Sequence, residues 1–170
     1  TDEKPVLFAV GCYRPKLTVT VDGKDPVTVE CPATLAIHAA GIQTYHVNYA
    51  AGDDAKDGMT PATAWKTLAS ALDSPLVIAG DEIVLARGTH PLAANQLVAK
   101  AVTIRGEGAP EETQIDGGLQ DAGISLSAAG ASLRDLTLQN IIEANNSPNI
   151  PLTTAAGTVV SNCVLTALVK

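Results

Sequence analysis

The chain has 170 residues, enough for one domain or one domain with an extension. Its formal net charge is −7, from 11 Lys and Arg against 18 Asp and Glu, and no basic cluster exceeds two positions; neutralising phosphates needs clustered cations, which argues against nucleic acid and anionic membrane surfaces as partners. Apolar residues make up 46% but aromatics only 3%, a composition that suits a thin aliphatic core and offers few rings to grip a sugar, and no apolar run approaches the ~20 residues of a bilayer span.

Residues 1–44 form a strand-rich extension. Pro5–Val10 is a candidate strand, and Leu17–Val21 alternates with period two. After the Asp22-Gly23 turn signal, Val27-Thr28-Val29 completes a β-hairpin. About 40 residues rarely bury enough to stand alone, so this segment is expected to lean on something. Cys12 and Cys31 lie within it. They are either a disulfide across neighbouring strands, which implies an oxidising compartment, or two thiols.

From Tyr45 onward the pattern changes. Tyr45–Tyr49 reads as a short strand and Ala51–Gly58 as a polar loop. Thr60–Leu72 reads as one amphipathic helix, near 60–73, with Thr60 as cap, Pro61 in the first turn, and Trp65, Leu68 and Leu72 on one face. Short apolar or alternating runs follow at Ile83–Leu85, Val102–Ile104, Ile124–Leu126, Leu136–Leu138 and Cys163–Leu165.

An internal repeat organises the second half. Ala128-Ala129-Gly130 aligns with Ala155-Ala156-Gly157, Leu133 with Val160, Asp135 with Asn162, and Leu136 and Leu138 with Cys163 and Leu165, at an offset of 27 positions. Strands recurring in the same order cannot form separate hairpins; stacking copy on copy would pair them in parallel and bury inward residues in columns. The expected fold is therefore all-β, a right-handed parallel β-helix (solenoid) over 45–170, with a short capping α-helix and the strand-rich extension before it. Trp65, Leu68, Leu72, Leu136, Leu138, Cys163 and Leu165 are its expected core, and Asp135 and Asn162 its polar corner.

Tyr45-His46-Val47 with Gly52-Asp53, then Asp57–Pro61, Trp65–Leu68, Gly80–Leu85, Arg87–His90, Val102–Gly106 and Ile115–Gly118 together resemble the N-terminal portion of the right-handed parallel β-helix, pectate-lyase-like superfamily. The resemblance implies a secreted protein, many such bacterial members beginning this way, with the helix capping the first coil. It implies little about activity, because that fold carries lyases, hydrolases, adhesins and structural proteins.

Chemistry is sparse. Asp53, Asp54 and Asp57 are a weak Ca²⁺ candidate, since their spacing does not match an EF-hand loop and turn hydrogen bonding accounts for them. His38, His46 and His90 are scattered, without the paired spacing of a zinc site. Among acidic and basic residues, Asp116, Asp135, Arg105 and Arg134 come nearest to a lyase set. None matches a family catalytic motif, so no catalytic residue and no cofactor are assigned. Asn145-Asn146-Ser147 is a formal glycosylation sequon in a polar stretch.

The segment from Cys163 to Lys170 remains strand-like, so the last coil is expected to present an open edge. The function expected from this is an extracellular or cell-surface structural protein. It would assemble head-to-tail with other copies of itself, into a fibre or surface layer, through that edge and the N-terminal extension. The alternatives are a piece of a secreted carbohydrate-active protein and an adhesin module.

Overall fold

The computed structural model describes residues 9–120, 122–141 and 152–166. The chain divides into two compact units, Thr1–Gly41 and Ile42–Lys170, three residues earlier than the composition shift places the boundary.

In the first unit, β1 (Gly11–Tyr13) and β4 (Leu35–Ile37) form one antiparallel pair. β2 (Lys16–Val19) and β3 (Val27–Glu30) form another. The second pair is the predicted hairpin, with Leu17 opposite Val29 and Val19 opposite Val27, so four apolar side chains share one face. Of the two alternatives for Cys12 and Cys31, a disulfide or two thiols, the structure holds two thiols, both free and exposed. Cys12 faces Ala36 across the β1–β4 pair, whereas Cys31 follows a strand of the other sheet, so they do not lie on neighbouring strands. The Pro5–Val10 strand falls largely outside the described residues.

The second unit holds β5 (Thr44–Val47), β6 (Glu82–Leu85), β7 (Gly88–Pro91), β8 (Gln96–Val98), β9 (Thr103–Gly106), β10 (Thr113–Gln120), β11 (Ile124–Leu126), β12 (Ser132–Ile141), β13 (Leu152–Thr154) and β14 (Val159–Thr166). β8, β11 and β13 make a three-stranded parallel sheet. The others make a seven-stranded sheet ordered β5-β6-β9-β12-β10-β7, with β14 on β12.

The right-handed parallel β-helix expected from the repeat is overturned. The short strands lie in separate sheets, and none of these closes or curls on itself into a solenoid. The repeat-scale pairing exists nonetheless. Leu133, Leu136 and Leu138 pair in parallel with Val160, Cys163 and Leu165. What differs is the continuity of β12. Its first residues pair with β9 and its last with β10, so two ladders that the repeat treats as separate faces join in one sheet.

Pairing in register stacks apolar residues in columns. Tyr45, Ile83, Ile104 and Leu133 are each at most 1% exposed, and Ile115, Leu136 and Leu138 are fully buried. Each such side chain contributes roughly 1.5–3 kcal/mol of burial. β12 and β14 each carry a left-handed residue at matching places: Asp135 has φ +57° and its partner Asn162 φ +48°. Asn162 Nδ2 donates to Asp135 Oδ1 at 2.7 Å. Short polar side chains tolerate this conformation best, which accounts for the Asp-to-Asn recurrence.

The single helix expected over Thr60–Leu72 is two pieces, a 3-10 turn at Pro61–Thr63 and α1 at Leu68–Asp73. Trp65 lies between them and bridges Val47 in parallel. Thr60 and Thr67 each cap one piece, so a second cap begins where the helical pattern was read as continuous. Trp65, Leu68 and Leu72 are buried as expected. Among the described residues no helix is long and apolar enough to cross a membrane.

Candidate functional site

Two places in the second unit concentrate exposed chemistry. One is a groove of mixed polar and apolar lining on the outer side of the seven-stranded sheet. Alternation sends Tyr45, Ile83, Ile104 and Leu133 inward, so their neighbours face out. In register these are Thr44, Glu82, Thr103 and Ser132 in one row and His46, Val84, Arg105 and Arg134 in the next. Arg105 Nε donates to Glu82 Oε1 at 2.8 Å, and Ser132 and Thr103 hydroxyls lie 2.9 Å apart. A cavity of about 220 Å³ opens here, lined by the polar His46, Asn48, Arg105 and Glu107 and otherwise by apolar residues such as Val84 and Ala86.

The His46 imidazole makes no hydrogen bond with a described residue. Burial lowers its pKa; the Glu107 carboxylate opposes this, Arg105 reinforces it, and Glu82 opposes it, leaving the value below 6.5. At neutral pH the ring is therefore uncharged, with one donor and one acceptor nitrogen beside a carboxylate and a guanidinium. That set can hold hydroxyl or carboxylate groups of a polar ligand. No group of three or more metal-ligating side chains is gathered among the described residues.

The weak Ca²⁺ candidate, Asp53, Asp54 and Asp57, does not come together. Asp53 Oδ1 accepts from Ala55 N at 3.0 Å and Asp57 Oδ1 from Met59 N at 3.1 Å, both local turns. Asp54 accepts instead from the backbone of Lys66 and Thr67 at 2.8 and 2.9 Å and from the Thr67 hydroxyl at 3.0 Å, tying the loop to the start of α1. Of the lyase-like set, Arg105 and Arg134 are register neighbours. Asp135 is the corner residue. Asp116 is already engaged, accepting from Gly118 N at 2.7 Å, Gln139 Nε2 at 3.0 Å and Asn140 Nδ2 at 2.9 Å. Burial works to raise the Asp116 pKa, and these bonds outweigh it and hold the carboxyl below its ordinary value. Its role is to fasten β10 to β12. The sequon at Asn145 lies outside the described residues.

The second place is β14. The inward columns do not end as they began. Val160, stacked on the fully buried Leu133, is 38% exposed, and Leu165, stacked on the fully buried Leu138, is 45% exposed. Leu165 is therefore not a core residue as expected, and Cys163 is half-buried, with burial raising its thiol pKa. Among the described strands, β14 pairs on one side only. The β5 side is different. His46 N donates to Gly58 O at 2.8 Å, Trp65 N to His46 O at 2.9 Å and Asn48 N to Trp65 O at 2.8 Å. The Gly58–Trp65 segment thus occupies the outer backbone groups of β5.

Sequence reasoning passed over the groove because His46, Arg105 and Glu107 are scattered along the chain. Outward alternation at Tyr45-His46-Val47 and Ile104-Arg105 was the available signal, but it does not say which strands are neighbours. Comparison with protein-family models, with curated proteins and with solved structures finds no match, so nothing in them links the chain to the pectate-lyase-like superfamily.

Proposed function

We propose that this chain is a structural subunit that associates with copies of itself through the β14 end of its parallel sheet, assembling head-to-tail into a fibre or surface layer outside the cell. The observation that carries this is the state of the columns at β14: side chains in register with a fully dry core are more than a third open at Val160 and Leu165. An unpaired, apolar strand edge is a template for strand addition.

The covered outer groups of β5 argue against β5 as the receiving surface. The first unit supplies a better one. Its hairpin presents Leu17, Val19, Val27 and Val29 on one face, each at least 50% exposed, and an isolated two-stranded hairpin needs a surface to lie on. A contact between β14 of one copy and the hairpin of the next is heterologous and propagates. The extracellular setting rests on the residues that resemble secreted proteins.

Light scattering or sedimentation across a concentration series tests the proposal. Growth of particle size with concentration, abolished by Val160→Lys with Leu165→Lys, supports it; a monomer at every micromolar concentration sinks it. The polar side chains of the groove support a second reading, a module that binds an acidic or hydroxyl-rich saccharide through Arg105, Glu107 and His46. Calorimetric titration with acidic oligosaccharides, on wild type and Arg105→Ala, would detect such binding.

A further inference from the structure

Asp-Gly occurs three times in the chain, at Asp22-Gly23, Asp57-Gly58 and Asp116-Gly117. In such a pair the glycine has no side chain to obstruct its own amide nitrogen. Rotation about the intervening single bonds suffices to bring that nitrogen onto the carboxyl carbon of the preceding aspartate. The three pairs share this local chemistry, and the fold sets them apart.

Two of the pairs are held. Asp57 Oδ1 accepts from Met59 N at 3.1 Å, and Gly58 N donates to Thr63 O at 2.9 Å. Gly58 is buried against the Trp65 ring. The Asp116 carboxylate accepts from Gly118 N, Gln139 Nε2 and Asn140 Nδ2, and the buried Gly117 stands against Ile141. Bonds from the Thr63 side chain and the Met59 amide hold the Asp57 carboxyl below its ordinary pKa; at Asp116 burial works upward and the three donors outweigh it. An ionised carboxylate resists a nucleophile that the neutral acid would accept.

Asp22-Gly23 carries none of these restraints. Both residues are exposed, on a turn closed by Lys24 N donating to Val21 O at 3.0 Å. Neither the Asp22 carboxyl nor the Gly23 amide bonds to a described residue. Gly23 has φ +75°, and no described atom lies within 4 Å of where its Cβ would stand.

We infer that Asp22-Gly23 is a site of spontaneous main-chain modification, converting to isoaspartate in the folded protein. Gly23 N attacks Cγ of the neutral Asp22 acid. The N–Cγ bond forms, and the Cγ hydroxyl leaves with the amide proton as water. The resulting succinimide takes up water at either carbonyl. Opening at Cγ restores aspartate. Opening at the main-chain carbonyl routes the chain through the side chain, one carbon longer, and leaves the free carboxylate on Cα. Water is the only other reactant, so the connection between β2 and β3 is where the folded chain ages.

Incubating the full chain for weeks at neutral pH in heavy-oxygen water tests this. Each opening of a succinimide adds one heavy oxygen, and electron-transfer fragmentation of the digested peptides separates isoaspartate from aspartate. Label and isoaspartate are expected at Asp22 at least about tenfold ahead of Asp57 and Asp116, the factor that one charge-assisted hydrogen bond represents in a rate. In urea, where those bonds are gone, the three sites should label at comparable rates. Asp22→Glu keeps the charge but needs a larger ring, and should lose the label at that position alone. Equal labelling of the three sites in the folded chain would overturn the inference. So would an absence of isoaspartate at Asp22, label retained in Asp22→Glu, or the same ranking of sites in urea, which would assign the difference to sequence and not to the fold.

Discussion

At the scale of single residues, three positions are set by geometry that leaves little choice. Gly58 has φ +66°, and a Cβ there would lie 2.4 Å from the Trp65 ring. Gly58→Ala is expected to cost on the order of 2–3 kcal/mol, from the left-handed backbone and the displaced ring together, as measured by urea unfolding. At the corner, Asn162→Ala loses the bond to Asp135 at a φ of +48°, and a loss of about 1–2 kcal/mol is expected. His90 makes stability depend on pH. Burial lowers its folded pKa and the Ala86 bond partly opposes this, against an ordinary value of 6.5. The unfolded chain therefore takes up the proton first as pH falls. The stabilisation is fully present above 6.5, declines below it, and is lost as pH falls through the lower folded value. Melting temperature should drop over that interval in wild type and drop less in His90→Gln.

At the scale of elements, burial rather than residue type decides the cost of a substitution. Leu138 and Leu165 are register partners on β12 and β14, one fully buried and one 45% exposed. Leu138→Ala should cost about 2–5 kcal/mol and Leu165→Ala under about 1 kcal/mol in the unassembled protein, a contrast that paired urea titrations can read. The same pair marks how much of the fold was legible. The 27-residue offset anticipates the β12–β14 register, because a repeat aligns residues that then pair. It does not reveal that β12 runs on past Asp135 to pair with both β9 and β10, and that continuity joins the ladders into one sheet instead of a solenoid. The helix is a similar case. Spacing identified Trp65, Leu68 and Leu72 as buried, but Trp65 is buried from a β-bridge, and helical spacing does not distinguish that. Cys12 and Cys31 are near in sequence yet belong to different sheets, which proximity along the chain cannot express. The groove residues His46, Arg105 and Glu107 come from different strands and their loops, so only the register of β5, β6 and β9 brings them to one place.

At the scale of the whole molecule, charge and exposed apolar surface act against each other. A net charge of −7 makes copies repel, while the open columns at β14 and the hairpin face favour contact. Raising salt from about 0.01 to 0.15 M shortens the screening length from about 30 to 8 Å, so assembly should increase with ionic strength, the reverse of an association driven by opposite charges. The most direct measurement is sedimentation velocity of the wild-type chain and the Val160→Lys, Leu165→Lys variant over a micromolar concentration series at physiological salt. The account predicts concentration-dependent growth for the wild type and a folded monomer for the variant. A wild-type chain that stays monomeric throughout, or a variant that assembles equally well, would contradict it.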